Sequence, residues 1–530
     1  MDTVTTPVLI VGGGLVGLST SLFLTQHHVS SLLVERHAST SIHPRARGIN
    51  FRSMELFREL GLEEQLRLAG KDLANNHGML VVETLAGVER KRIAMAEPEH
   101  SSMDLVSPTG WCVCAQDQSE PVLLAAARQR GGDLRFSTEM ISFEQDEAGV
   151  TAIVADRTTG AQQTIRADYL VAADGAASPI RNALGITRSG TGTLGHNISI
   201  YFSADLGDLV RGREFVLCQV ENAEVRGLFI AINNRDLWLF SIAYDPERGE
   251  RPEDFSAERC IDLIRKAVGL PQLAVEIKSI LPWEAAVRVA DRFQDGRIFL
   301  VGDAAHQMPP TGAFGANTGI QDAHNLVWKL AAVYHGQAAS ALLATYDEER
   351  RPVARFTTEQ AGLRSAATAF DPRNANRTDL ADSLVIITGY QYTSGAIIAD
   401  ETEPLPLDHL ALDGHPGRRA PHVWLERQGR RISTLDLFGP RFVLLTGEQG
   451  QGWRDAAHAL ATRRDLNLDV YCIGSSDDLI DLDNRWSDAY GVTSAGVVLV
   501  RPDGFVCWRA RDAKEPQEQA LAAVLDQLLH

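Results

Sequence analysis

Cysteine is scarce in this chain, with six in 530 residues. So low a count excludes the disulfide framework that staples small secreted domains. Cys112 and Cys114 fall on one side of a strand-like segment with a single residue between them, a poor arrangement for bridging each other. No Cys or His partners recur at finger-like spacing, so no metal site is expected and the cysteines read as buried reduced thiols. Positive charge is also in deficit: 51 Lys and Arg stand against 69 Asp and Glu, a net charge of −18. That balance argues against nucleic acid or an anionic membrane as the main partner. Long apolar runs are missing too; none approaches the ~20 residues of a membrane span. The N-terminus lacks a basic, apolar, small-residue signal pattern, so a cytoplasmic location is expected. No tandem repeat or low-complexity segment occurs. What remains is ordinary globular composition, 44% hydrophobic and 23% charged, at a length that suggests about three domains.

Against that background, five segments carry chemistry. Residues 8–11 form an apolar run, followed by Gly12-Gly13-Gly14-Leu15-Val16-Gly17, a G-x-G-x-x-G pattern. The next helix carries Leu18, Leu22 and Leu24, and a second apolar run, residues 32–34, ends at Glu35. Gly12 permits the tight turn, Gly14 lets a diphosphate approach the backbone, and Gly17 lets helix and strand pack closely. Glu35 stands where an acid accepts hydrogen bonds from ribose hydroxyls. A plain Gly-rich turn is the alternative, but strand, glycines, helix, strand and acid in one unit point to a dinucleotide site. Residues 169–173 form another apolar run that leads into Asp174-Gly175-Ala176-Ala177-Ser178-Pro179-Ile180-Arg181. Alone this could be a simple turn. Residues 298–301 read as a short buried strand, turned by Gly302 and Asp303 into a Gly/Pro-rich loop. That loop feeds a helix on which Ile320, Ala323, Val327, Leu330 and Tyr334 recur at spacings of three and four. The last two segments are His43-Pro44-Arg45-Ala46-Arg47 and the head of a helix at Gln116. Exposed surface charge is the alternative for these arginines, and for Arg47 the two readings stand even.

Together these segments resemble the single-component FAD-dependent aromatic-ring hydroxylases of the p-hydroxybenzoate hydroxylase type, the class A flavoprotein monooxygenases. The resemblance covers roughly residues 5–400 and continues weakly to the end. SPTGW (107–111), YDPERGERPEDF (244–255), PGRRAPHVWL (416–425) and STLDLFG (433–439) look most like the aromatic polyketide hydroxylases of antibiotic pathways. The resemblance implies noncovalent FAD, with NADPH or NADH as a transient co-substrate and O₂ as oxidant. A hydroperoxide formed on the flavin would then deliver oxygen to an electron-rich ring. It also implies that Gly12, Gly14, Leu15, Val16 and Gly17 face the diphosphate, with Glu35 and Arg36 beside the adenosine. Arg45 and Gln116 would lie by the flavin, and Asp174 and Gly175 against the diphosphate and the nicotinamide path. Asp303 would hold the ribityl chain, while Pro310, Gly315, Ala316 and Asn317 would line the ring. No phenol-activating base is assigned; Arg45 and His306 are the weak candidates, and for His306 a structural role is favoured.

Fold class follows: α/β, with a Rossmann-like FAD-binding domain, an inserted antiparallel-sheet substrate domain and a C-terminal thioredoxin-like domain. The FAD-binding domain is expected over 1–75, 116–184 and 286–400, and the substrate domain over 76–115 and 185–285. A linker is expected over 401–422, rich in Pro, Gly and charge, and the thioredoxin-like domain over 423–530. In that last domain the turn that would carry Cys-x-x-Cys reads TGEQGQG (446–452), and Cys472 and Cys507 lie on strands, so no thiol exchange is expected. The alternating, mostly neutral strands of 185–285 offer Tyr201, Phe229, Trp238 and Phe240 as substrate candidates. They suit a polycyclic aromatic phenol better than a small benzoate, which needs a basic clamp. Oligomeric state stays open between monomer and homodimer. Two other functions are weighed. Baeyer–Villiger insertion on a polycyclic ketone could use the same motifs, although the classical Phe-x-Gly-x-x-x-His-x-x-x-Trp string is absent. A non-catalytic flavin-binding protein would be excluded by NADPH oxidation. The purified protein should be yellow and release all its FAD on heat or acid treatment; flavin fluorescence migrating with the chain on a denaturing gel would contradict this.

Overall fold

The computed structural model describes residues 3–73, 78–94, 103–366, 379–399, 410–474 and 479–529. Its first sheet is built on strand Thr3–Val11, which pairs in parallel with Ser31–Val34 on one side and Gln162–Ala172 on the other. Asp133–Arg135 and Ile298–Leu300 extend it, also in parallel. The inner ends of these strands are apolar on both faces, as a sheet covered by helices on both sides requires. Helix Leu15–Gln26 packs against helices Phe314–Tyr334 and Gln116–Gln129. It is buried on nearly every side, as its uniformly apolar or small sequence requires. Along Phe314–Tyr334 the expected apolar spacing holds through Leu330, whereas Tyr334 emerges 45% exposed.

The second sheet has eight strands: His306–Gln307, Glu276–Ala290, Arg188–Ser203, Leu237–Tyr244, Arg226–Ala231, Leu217–Glu221, Gly78–Val82 and Glu89–Ala94, in that spatial order. The pleat sends Ile198, Ile200 and Phe202 into a core shared with helix Ala257–Val268, and Asn197, Ser199 and Tyr201 to the opposite face. Two expected boundaries need correction. The division at 285/286 falls inside Glu276–Ala290, and Cys112–Val113 pairs with Gly48–Ile49 rather than with this sheet.

The third sheet runs Arg430–Ser433, Trp424–Arg427, Leu479–Asp481, Leu468–Gly474, Phe442–Gly447, Val497–Val500, Val506–Ala510. Phe442–Gly447 lies parallel to Leu468–Gly474 and antiparallel to Val497–Val500, with helices Gln451–Arg464 and Gln517–Leu529 on one face. The domain is thioredoxin-like, with an added N-terminal hairpin and a short strand, Leu479–Asp481, beyond the expected elements. All six cysteines of the chain are buried, and burial pushes the Cys507 thiol up. The expected linker is corrected as well. Residues 401–409 lie outside the described residues, while residues 416–423 are buried, Arg419 forking onto Glu55 and Gly417 accepting the Tyr392 N–H at 2.8 Å.

A buried ionic cluster joins this domain to the first. Glu349, on helix Thr345–Ala366, accepts from Arg501 at 2.6 and 2.9 Å and from Lys329 at 2.8 Å, and Arg501 also pairs with Asp503. Asn325 bridges Glu349 and Asp503, and Arg52 donates to the Asp503 carbonyl at 2.8 Å. Burial alone would raise the Glu349 carboxyl, but Arg501 and Lys329 hold it well below the usual range. Burial pushes Lys329 down to about 8. Glu349→Gln leaves Lys329 in the interior without its anion and Arg501 with Asp503 alone, and should cost about 3–5 kcal/mol in a denaturant titration. Glu518→Gln, at the exposed pair with Arg463, should cost less than about 1 kcal/mol.

Candidate active site

The site is assembled where the strands of the first sheet end. Strand Thr3–Val11 turns at Gly12, whose φ is +111° and where a Cβ would stand 2.2 Å from the Ala173 carbonyl oxygen. At Gly17 a Cβ would lie 1.9 Å from the Gly12 oxygen. The helix is therefore pressed against the strand, and it starts from Gly14 without a side-chain cap of its own. Its positive end, with the amides of Leu15 and Val16, is a ready anion cradle. Glu35 closes one side: its Oε2 accepts the Gly13 N–H at 2.6 Å and its Oε1 the His37 N–H at 2.8 Å. The Arg36 side chain is exposed, and its carbonyl accepts from Arg157 at 3.2 Å.

Strand Gln162–Ala172 leads into the Asp174 turn, where Gly175 has φ +82°. Burial raises the Asp174 carboxyl; its Oδ2 accepts the Ile180 N–H at 3.2 Å, and its buried Oδ1 has no partner among the described residues. Arg181 then ties this turn to the next, donating to the Ala304 carbonyl at 3.0 Å and the Ala176 carbonyl at 3.1 Å. Asp303 sits in that next turn. Protein surrounds it closely enough for burial to raise its carboxyl, against the opposing pull of His306 and Arg45, yet the residue stays open to solvent. It is the floor of an open cleft. Arg45 is itself exposed, without an ion-pair partner among the described residues, and its charge acts on Asp303, Glu120 and His43.

Helix Phe314–Tyr334 springs from Ala313, held at φ +53°. The Asn317 side chain spends itself on bracing: Oδ1 accepts the Asn50 N–H at 3.0 Å, and Nδ2 donates to the carbonyls of Gly48 at 2.8 Å and Ala313 at 2.7 Å. Pro310 is exposed, and Gly315 and Ala316 are half-buried at this helix end. Gln116 receives the Ala46 N–H at 3.3 Å, linking its helix to the loop of Arg45.

Several candidates stand elsewhere than expected. His306 has a side chain with no exposure, locked to Asp322 at 2.7 Å, which is in turn held by Arg350 at 2.8 Å; it braces the loop from behind and does not reach the cleft. Phe229, Trp238 and Phe240 are fully buried on the core face of the second sheet, Trp238 donating to the Ala204 carbonyl at 3.0 Å. The period-2 alternation of the strands puts them on the wrong side for substrate. Tyr201 lies on the open face, its ring edge-on to His43 with centroids 6.1 Å apart. Arg47 is not a free surface charge: it is half-buried, donates to the Ala231 carbonyl at 2.9 Å, and desolvation lowers its pKa to about 10. Sequence reasoning missed Glu120, a buried acid four residues after Gln116 on the same helix face, bonded to it at 2.7 Å. That spacing was the available signal.

Bare glycine backbone, a helix end whose own N-cap is a glycine with no side chain to cap it, the orphaned Asp174 oxygen and the crowded but open Asp303 all suit FAD. They define a flavin-dependent oxidoreductase with a sheet facing its cofactor cleft. Residues 5–361 match the family described as FAD binding domain, and residues 413–530 that described as aromatic-ring hydroxylase, C-terminal. The chain is similar to a putative polyketide hydroxylase of Streptomyces halstedii, 47% identical over 99% of this chain and 97% of that protein. It is also similar to the tetracenomycin A2 monooxygenase-dioxygenase of Streptomyces glaucescens, 44% identical over 100% and 98%. Among solved structures, aklavinone-11 hydroxylase in a ternary complex with FAD and aklavinone matches with a TM-score of 0.89 at 36% identity, covering 100% of both chains. The chain belongs to the FAD-dependent aromatic-ring hydroxylases and is a monooxygenase. Glu35→Ala and Asp303→Ala should each raise the Kd for FAD roughly tenfold to a hundredfold, the loss of charge-assisted hydrogen bonds worth about 1.5–3 kcal/mol. Wild-type FAD affinity in both variants, measured by titrating apoprotein, would refute this placement of the cofactor.

Proposed function

We propose that the protein hydroxylates a polycyclic aromatic phenol of the polyketide type, consuming NADPH or NADH and O₂. The observation that carries this is the open face of the second sheet. Register places Leu239 opposite both Tyr201 and Ile230, and Ser199 opposite both Ser241 and Leu281. These six residues make a neutral face of apolar groups and hydroxyls on which Tyr201, Ile230, Ser241 and Leu281 are half-buried and Leu239 and Ser199 are covered. Arg47, beside it, is engaged with backbone carbonyls and offers no clamp for a carboxylate. Such a wall favours a broad ring system with a few polar groups that set its orientation. The names of the relatives support the same reading, since a tetracenomycin oxygenase and an aklavinone hydroxylase are among them.

When bound, FAD would supply the redox and oxygen-transfer chemistry. The protein's part is to hold and enclose. The amides of Leu15 and Val16 would receive the diphosphate, Glu35 the ribose and Asp303 the ribityl hydroxyls. The N-terminus of Phe314–Tyr334, fixed by Asn317, would favour negative charge on the pyrimidine edge of the ring. The sheet face orients the substrate and helps keep water from the reacting atoms. Turnover of a panel of fused-ring phenols under ¹⁸O₂ should place one labelled oxygen on a ring carbon. Rapid coupled turnover of p-hydroxybenzoate, with no reaction on any fused-ring phenol, would refute the substrate class while leaving the flavin chemistry intact.

A further inference from the structure

Glu120 has no part in the functional reading above, yet it faces the cofactor cradle. It is 1% exposed on helix Gln116–Gln129. Its Oε2 accepts the Ser41 N–H at 2.7 Å and its Oε1 the Gln116 side-chain amide at 2.7 Å. The carboxylate also turns toward the Leu15 N–H, the first amide of the dinucleotide helix, and a Cβ on Gly14 would lie 3.5 Å from Oε1. Each of these partners is neutral; the cation acting on Glu120 is Arg45, which is exposed. Next door, the Gly13 N–H is already held by Glu35. Two carboxylates thus stand at the amides to which a diphosphate must bring its own negative charge. Glu35 has a purpose there, since a ribose diol can donate to it. Glu120 has no such partner to gain.

We propose that Glu120 is the resident anion of the FAD site: it caps the dinucleotide helix while the cofactor is absent and repels the diphosphate when the cofactor binds. An anion at a helix N-terminus stabilises the helix, and a second anion at the same end meets the first in a partly desolvated setting where like charges repel strongly. Burial already disfavours the charged form of this carboxyl, so the conflict falls on Glu120 rather than on the fixed backbone. The same carboxylate holds Ser41, so the loop carrying Arg45 is anchored to the helix end that receives the diphosphate.

The two halves of this role predict opposite movements. Glu120→Gln keeps the shape and an acceptor for Ser41 while removing the charge. Full-length apoprotein is titrated with FAD, following the quenching of flavin fluorescence, and its melting temperature is measured without cofactor. The Kd for FAD should fall about tenfold, the scale of one removed repulsion, while the apoprotein melts at a lower temperature than wild type. A purely structural glutamate would weaken both. A Kd equal to or above that of wild type overturns the proposal, and so does an unchanged apoprotein melting temperature. Should the Gln variant fail to fold, Glu120→Ala, which also removes the charge and leaves room for water at Ser41, must lower the Kd in the same way or the proposal falls.

Discussion

Two consecutive residues, Glu349 and Arg350, hold the cofactor loop and the C-terminal domain to one helix. Arg350 reaches Asp322 at 2.8 Å, and Asp322 in turn holds the His306 ring and the Gly302 N–H at 3.2 Å, so the turn carrying Asp303 is fixed from behind. Glu349 reaches Arg501 and Lys329 and so binds the thioredoxin-like domain to helix Phe314–Tyr334. All of these charged side chains are without exposure. Buried charges are tolerable only when each is met by a partner in good geometry. The cost of taking these charges out of water is large. What it secures is geometry: one registration of two domains and one loop against a single helix.

The C-terminal domain is therefore no appendage. Its redox turn has no thiol, but its hairpin supplies Arg501 and Asp503, and Phe505 stacks on Tyr392 with centroids 4.3 Å apart. Tyr392 and Tyr390 both face Arg350. The segment that precedes the domain is pinned through Arg419 to Glu55, on the helix Phe51–Glu59. A thioredoxin-like sheet is used here as a brace for helix Phe314–Tyr334, whose N-terminus is the one expected to face the flavin ring.

How much of this was legible beforehand depends on whether a feature is local. The glycine fingerprint, the Asp174 turn and the Asp303 turn could be read because strand, turn and helix chemistry is written in consecutive residues. Register is not local. Phe229, Trp238 and Phe240 looked like pocket aromatics, yet the pleat that puts Tyr201 on the open face must put Phe202 and its cross-strand neighbours on the other. Which face is open depends on helix Ala257–Val268, whose docking no strand sequence reveals. Arg47 and residues 416–423 misled for a related reason: arginine, proline and glycine are surface residues by habit, and only long-range partners such as the Ala231 carbonyl and Glu55 show otherwise.

Small residues let helix Leu15–Gln26 approach helix Phe314–Tyr334 closely. A Cβ on Gly319 would stand 2.8 Å from the Gly302 Cα and 2.7 Å from a Val16 methyl, and a Cβ on Gly302 would meet the same methyl at 2.9 Å. The two helices thus cross with Val16 inserted between two glycines, as close as backbones allow. Any side chain at either glycine would push the two helices apart. Close packing of this kind is stiff, because a core at crystal-like density has no slack to absorb a methyl group. The ionic brace behind the flavin helix then acts on a junction that cannot give. Through Arg501, Glu349 and Lys329 the C-terminal domain is joined to the same helix that carries Gly319.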